Sequence, residues 1–365
     1  MPLAMHEAMN AQRQPQYASP STAKPAMSPK RRFLAALTGG QPDRTPVGNV
    51  VSVATVELME QTGAWFPQAH LDARLMAELA ASGHTVLGYD TVMPVFSVVQ
   101  EAAALGCVME WGAPDMMPGV RSHPFAECDE PRVPDGWMDA PSIQVVLEAL
   151  RLLRRGLGHE VVIVGKVMGP WSLSYQMTGV EEFLISTKTD PDRARRSLET
   201  LKEVTVEFGR AQMQAGADIL CVADHTTGGM VSPLVYRDMV LPVHQEIVER
   251  LGCPTVLHCC GNTTDRVKYF ARAGFDCYHF ESQVNLESAV ADAAGRMTLM
   301  GNINNPDILL SGTPEQVAAA CHSVLDGGVP ILAPECAVPL STPLRNLGAL
   351  VEVAQARAGG ADSHE

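Results

Sequence analysis

No stretch of this 365-residue sequence offers the roughly 18–20 uninterrupted apolar residues that a bilayer-spanning helix needs. Positive charge is scarce as well: 27 lysines and arginines stand against 41 aspartates and glutamates, a formal net charge of -14. That balance argues against nucleic acid or an anionic membrane as a partner, because phosphate contacts need clustered Lys and Arg. The densest basic group, Arg151, Arg154 and Arg155, reads as a solvated helix end. A disulfide framework is also missing. Nine cysteines, an odd number, are scattered through a long chain, which fits free thiols in a reducing cytosol better than a stapled secreted domain. The N-terminus shows no apolar core followed by a cleavage site, so a cytoplasmic protein is expected. No G-x-G-x-x-G follows the first strand-like run, which weakens a dinucleotide-binding sheet.

The composition that is present, 46% hydrophobic and 19% charged, is that of a globular protein with ample core material. Residues 1–30, rich in Gln, Pro, Ser, Ala and Met, carry no period. They are expected to form a mobile tail, or an arm onto a second copy in a homodimer. Residues 357–365 read as a second tail. Between them, in 31–356, short β-rich runs alternate with helical stretches. The runs begin near Pro46, Thr85, Val161, Asp218, Pro254, Asp276, Met297 and Pro330. Most are continuously apolar, as strands buried on both faces of a parallel sheet must be. The helical segment starting TPEQV opens on a Thr313 cap and closes on Gly327–Gly328. About eight strand–helix units predict a (β/α)8 TIM barrel, with a doubly wound open sheet as the runner-up. The Pro-, Gly- and Asp-rich segment from Trp111 to Trp137 is expected to be a loop insertion over one end.

Barrel active sites form at the C-terminal ends of the strands. Those ends here carry Lys166, Asp224, His258-Cys259-Cys260, Glu281, Asn302 and Glu335-Cys336. On an extended strand end, residues i and i+2 point the same way, so His258 and Cys260 face one site while Cys259 faces packing. Cysteine is more often a small hydrophobe than a ligand, so this spacing alone does not establish a metal. For a third ligand, Cys336 is favoured by its position after the last strand. Cys253 precedes a strand, Cys321 lies in a helix and Cys277 sits early in its strand. One imidazole and two thiolates with an open fourth position make a catalytic zinc site. Glu281 reads equally as a displaceable fourth ligand or as a hydrogen-bond partner of the histidine. His279 reads as a core histidine. Asp224 reads either as a substrate contact or as a helix cap. Tyr175 and Asn302 are further candidate substrate contacts.

At these residues the sequence resembles the uroporphyrinogen decarboxylase superfamily, and within it the methylcobamide:coenzyme M methyltransferases. The resemblance lies in LHCCGNTTD, GNINNPDILLSGTPEQV and APECAVPLSTPLRNL, with ELMEQTGAWFPQAHLDARLMAELA and QEAAALGC in support, and runs from about Arg31 to Gln355. It implies a TIM barrel with a zinc ion at its mouth, held at His258, Cys260 and Cys336, with Glu281 where some members place a labile ligand. It also implies a corrinoid, carried by a separate small protein, that delivers a methyl group to a zinc-activated thiol such as coenzyme M. Members that decarboxylate porphyrinogens carry an arginine motif where this chain has GNVVSVATVEL. They carry an F-S-D aspartate where it has Phe96-Ser97-Val98. A decarboxylase or lyase of another small acid, or transfer to a folate, are the alternative expectations.

Overall fold

The computed structural model describes residues 26–361 apart from 127, 129 and 130. The expected tails lie outside this range for 1–25 and 362–365. A helix Pro29–Leu37 begins within the first of them, and a helix Leu344–Ala361 runs into the second. Among the described residues no helix is long and apolar enough to cross a membrane.

Seven parallel strands form one curled sheet in the order β1 (Thr91–Val92), β4 (Val162–Met168), β5 (Ile219–Ala223), β6 (Thr255–Cys259), β7 (Cys277–Phe280), β8 (Thr298–Ile303) and β9 (Ile331–Pro334). β4, β5, β6, β7 and β9 are buried along their whole length. Helices cover their outer face and the barrel core fills the inner one, which is why the runs read as unbroken apolar stretches. The eighth unit is shorter than expected. Around Val47 the chain makes a single parallel bridge to Leu332, flanked by hydrogen bonds from Gly48 N to Leu332 O and from Leu332 N to Pro46 O. Its other side meets the start of β1, where Asp90 N donates to Val47 O and Asn49 N to Thr91 Oγ1. The sheet therefore closes into a barrel, and the open doubly wound arrangement is not formed.

The expected strand at Thr85 is corrected. Thr85 ends the helix Ala73–Thr85, and only Thr91–Val92 pair as a strand. The apolar face of that helix (Met76, Leu79, Ala80) is buried, and Gly88, at φ +74°, reverses the chain before the strand. The helix predicted over SPLVYRDMVLPVHQEIVERLG also differs. It splits into Pro233–Val235, a wide π-turn Tyr236–Val240 and the helix Leu241–Leu251. Pro242 has no N–H for the i→i−4 bond, and a wider turn relieves that break. Thr313 caps Pro314–Asp326 with a reciprocal bond to Gln316. The insertion holds a small hairpin, β2 (Met109–Glu110) with β3 (Gly119–Val120). Its following segment packs on the helix after β4, where Phe125 N donates to Met177 O and His123 Nδ1 meets Gln176 O.

Candidate metal centre

His258 lies one residue before the end of β6, and its register partners are Ala223 on β5 and His279 on β7. Cys260 leaves the strand just past its end. Gly261, at φ +76°, then turns the chain, and a Cβ there would sit 2.4 Å from Thr227 Oγ1. Cys336 follows β9 and its carbonyl accepts Asn49 Nδ2 at 3.1 Å, a tether to the neighbouring short strand around Val47. These three side chains converge. His258 Nε2 is 3.1 Å from Cys260 Sγ, Cys260 Sγ is 3.3 Å from Cys336 Sγ, and Cys336 Sγ is 3.4 Å from His258 Nε2. Among the described residues this is the one group of three or more His, Cys, Asp or Glu whose donor atoms all lie within 4.8 Å of one another. Its 3.3 Å sulfur separation is far beyond a disulfide, at about 2.05 Å, and all nine cysteines are free.

The donor set fits a zinc ion. A tetrahedral site with Zn–S near 2.3 Å and Zn–N near 2.0–2.1 Å has donor–donor edges of about 3.5–3.8 Å. The observed edges need to open by only a few tenths of an ångström. The thiols are already partly prepared for a cation. A hydrogen bond from Cys260 holds Cys336 well below the ordinary thiol pKa, and the same contact pushes Cys260 well above it. One thiolate is thus favoured before any cation arrives.

The other site candidates fall into three groups. Glu281, half-buried just past β7, lies outside the three-donor cluster. Burial raises its pKa, against an opposing bond from the Gly261 N–H. Tyr175 and Asn302 also lie outside the three-donor cluster. Tyr175 is pushed up to about 12, chiefly by burial, and Asn302 Nδ2 donates to Glu281 O at 3.4 Å. Of its two readings Asp224 takes that of a helix cap, though not of the helix that follows it. Its carboxylate turns away from the mouth, accepts Ser172 N at 2.7 Å and Trp171 N at 3.4 Å, and meets His244 Nε2 at 2.9 Å. It caps the helix Pro170–Thr178 from a neighbouring strand. Gly169 leaves room for this approach, since a Cβ there would stand 2.2 Å from the Asp224 carboxyl carbon. His279 is fully buried, with Nε2 2.7 Å from Pro334 O. Cys259 is fully buried against Thr226 Oγ1, and burial pushes its thiol up to about 12. Lys166 is not at a strand end, because β4 continues to Met168.

One residue escaped the sequence reading, and another, Glu335, was noted at a strand end without a role. His225 stands at the mouth, its ring 6.5 Å from Tyr175 and nearly perpendicular to it. Burial, then the neighbouring His258, lowers its pKa. The i, i+2 alternation that selected His258 and Cys260 would have found it, because Ala223 shares the register of His258 and His225 follows by two. Glu335 is a strap, its two carboxylate oxygens accepting Ser282 N at 2.8 Å and Asn305 N at 2.7 Å. No local signal distinguishes that role from a ligand.

Comparison with known proteins follows the same lines. The family described as uroporphyrinogen decarboxylase (URO-D) matches residues 28–357. A methylated-thiol–coenzyme M methyltransferase of Methanosarcina mazei is 33% identical, covering 89% of this chain and 88% of that protein. A methylcobamide:CoM methyltransferase of Methanosarcina acetivorans is 32% identical, covering 90% of this chain and 98% of that protein. A solved methyltransferase from Methanosarcina mazei superposes with a TM-score of 0.88 at 30% identity, covering 91% of this chain and 99% of that one.

Proposed function

The chain belongs to the uroporphyrinogen decarboxylase family, and within it we propose a methyltransferase that passes a methyl group from a corrinoid, carried by a separate small protein, to a small thiol such as coenzyme M. The observation that carries this reading is the convergence of His258, Cys260 and Cys336, donor atoms within 4.8 Å, at the C-terminal mouth of the barrel. The similarity to methylcobamide:CoM methyltransferases over 90% of the chain supports it.

His258, Cys260 and Cys336 would hold zinc, and the bound ion would supply the Lewis acidity that keeps an incoming thiol deprotonated at neutral pH. The two protein thiolates keep the site electron-rich, so the sulfur remains nucleophilic. Glu281, just past β7, would be the protein's own candidate for the fourth position, open to replacement by the thiol. His225, whose pKa burial lowers, takes up the proton that the thiol sheds. Tyr175 and Asn302 line the thiol's approach and fix its orientation. The substrate sulfur gains the methyl group as the carbon–cobalt bond breaks, its electron pair staying on cobalt. Nine free thiols fit work in the cytoplasm.

Metal analysis of the purified protein, followed by incubation with methylcobalamin and a panel of thiols, tests this. One zinc per chain and thiol-dependent loss of the methyl–cobalt absorbance are expected. Metal-free protein that instead releases carbon dioxide from a small acid, or a methyl transfer that requires a folate, would overturn it.

A further inference from the structure

Two buried nitrogens beside the candidate metal centre lack partners and complement each other. His258 and His279 are register partners on the adjacent parallel strands β6 and β7. Their rings are tilted neighbours, with centroids 4.7 Å apart and planes 33° from parallel. Both side chains are buried, His279 completely. Among the described residues, Nδ1 of each has no hydrogen-bond partner. Glu281, the carboxylate expected to serve this histidine, does not bond its Nδ1. A buried polar atom left in this way is costly and rare.

The proton on each ring is decided by its other nitrogen. His279 Nε2 stands 2.7 Å from Pro334 O. A carbonyl oxygen can only accept, so His279 Nε2 carries a proton. A second proton would place an unanswered charge in the interior, so the ring is neutral and its Nδ1 is a bare acceptor. His258 is the mirror case. Its Nε2 meets Cys260 Sγ at 3.1 Å and Cys336 Sγ at 3.4 Å. A cation held with those sulfurs takes the Nε2 lone pair, and the neutral ring then carries its proton on Nδ1. One ring thus offers a donor where its neighbour offers an acceptor. His279 also has a second attachment of consequence. Pro334 closes β9 two residues before Cys336, so the bond from Nε2 ties His279 to the strand that delivers the third sulfur-side ligand. A single imidazole therefore meets the ring of His258 on one side and the backbone leading to Cys336 on the other.

We infer that His279 is the positioning residue of the metal centre: its bare Nδ1 is the acceptor for the Nδ1 proton of His258, fixing that ring's tautomer and the angle at which Nε2 meets the sulfurs. Rotation about the broad χ2 torsion of histidine is the motion that closes the pair. This rests on the zinc reading above, and the test separates the two.

Zinc affinity should be measured by competition with a chromogenic chelator in the wild type, His279→Phe and His279→Asn, with circular dichroism and urea unfolding as controls of the fold. Loss of the acceptor in His279→Phe should weaken zinc binding about 10–100-fold. His279→Asn, whose Oδ1 takes the place of Nδ1, should recover most of that loss although it gives up the bond to Pro334. In cobalt(II)-substituted protein the visible bands should shift in His279→Phe and return towards the wild type in His279→Asn. Wild-type zinc affinity in His279→Phe, or equal losses in the two variants, overturns the assignment. A measurement on the wild type alone is independent of any folding defect. After isotopic labelling of the histidine nitrogens, two-bond proton–nitrogen correlation spectra should show His279 protonated on Nε2 only, with an Nδ1 resonance that moves when zinc is added. A proton on His279 Nδ1, or a resonance indifferent to zinc, also overturns it. A wild type that takes up neither zinc nor cobalt(II) would sink the metal-centre reading and this inference with it, whereas full zinc uptake with His279 uninvolved would sink this inference alone.

Discussion

Two histidines on neighbouring elements show how differently the same side chain can be used. His244 lies at the centre of a closed chain. Its Nδ1 meets Tyr236 Oη at 2.9 Å, its Nε2 meets Asp224 Oδ2 at 2.9 Å, and the other Asp224 oxygen caps a helix through Ser172 N. All three side chains are buried. The trio has the residue types of a proton relay, yet no polar atom of the carboxylate or imidazole is left to face a substrate. His258, on the adjoining strand, has Nε2 directed only at two sulfurs, and those sulfurs at each other. A satisfied network fixes structure, whereas donors that have only one another are ready for a cation.

The sharpest way to break this contrast is to remove a ligand. Cys336→Ala or His258→Ala should lose most bound zinc, measured by elemental analysis. Methyl transfer to a thiol should fall at least about 100-fold, since even outer-shell changes cost 10–100-fold, with circular dichroism unchanged. Wild-type zinc in either variant would refute the ligand assignment.

Asp224→Ala attacks the other member of the pair. It strands His244 Nε2 and two helix N-terminal amides in the interior. Urea unfolding should show a loss of about 3–5 kcal/mol, with zinc per folded chain unchanged. A folded, fully stable variant with impaired thiol binding would return Asp224 to the substrate.

His70 supplies a third histidine with neither arrangement. It is stacked 4.0 Å from Phe66 with both nitrogens unpartnered, and burial lowers its pKa from 6.5 to about 3. Between those values the unfolded chain binds a proton that the folded chain refuses. This contribution is therefore complete above about pH 6.5 and is lost as pH falls towards 3. From pH 7 to 5 the loss is about 2 kcal/mol. His70→Phe should flatten the pH dependence of the urea midpoint by that amount, and an unchanged slope would refute it.

The smallest effect expected is that of Cys259→Ala. Its sulfur faces Thr226, away from the cluster, so zinc content should be unchanged and stability should fall by about 1 kcal/mol for a small deleted group. Loss of zinc here would mean that the strand-end alternation has been misread.

The six later barrel strands were legible because their apolar runs are continuous and bounded by turn residues. The first two were legible in position but not in extent. Around Val47 the pairing amounts to one bridge, and before Thr91 the apolar residues Val86, Leu87 and Tyr89 belong to a helix end and its reversal. At the site, His258 and Cys260 were legible as a pair by spacing. Asp224 was left between two readings because a strand-end carboxylate looks the same whether it faces the mouth or a helix N-terminus. Only the register, Ala223 beside His258, decides that.

What the sequence determined by itself is the kind of chemistry available: free thiols, a His-x-Cys pair on a strand end, and alternating strands and helices whose site must lie at one barrel face. Those are local properties, carried by residue type and by periods of two and 3.6. Tertiary structure decided which groups meet. Cys336 reaches the pair across 76 residues because the barrel closes. Asp224 is drawn to a helix N-terminus because Gly169 admits it. Lys166 is buried inside the barrel wall because its strand runs two residues past it. Each outcome depends on which partner comes within hydrogen-bonding or coordination reach, and in a closed parallel barrel every such partner lies on another strand or helix.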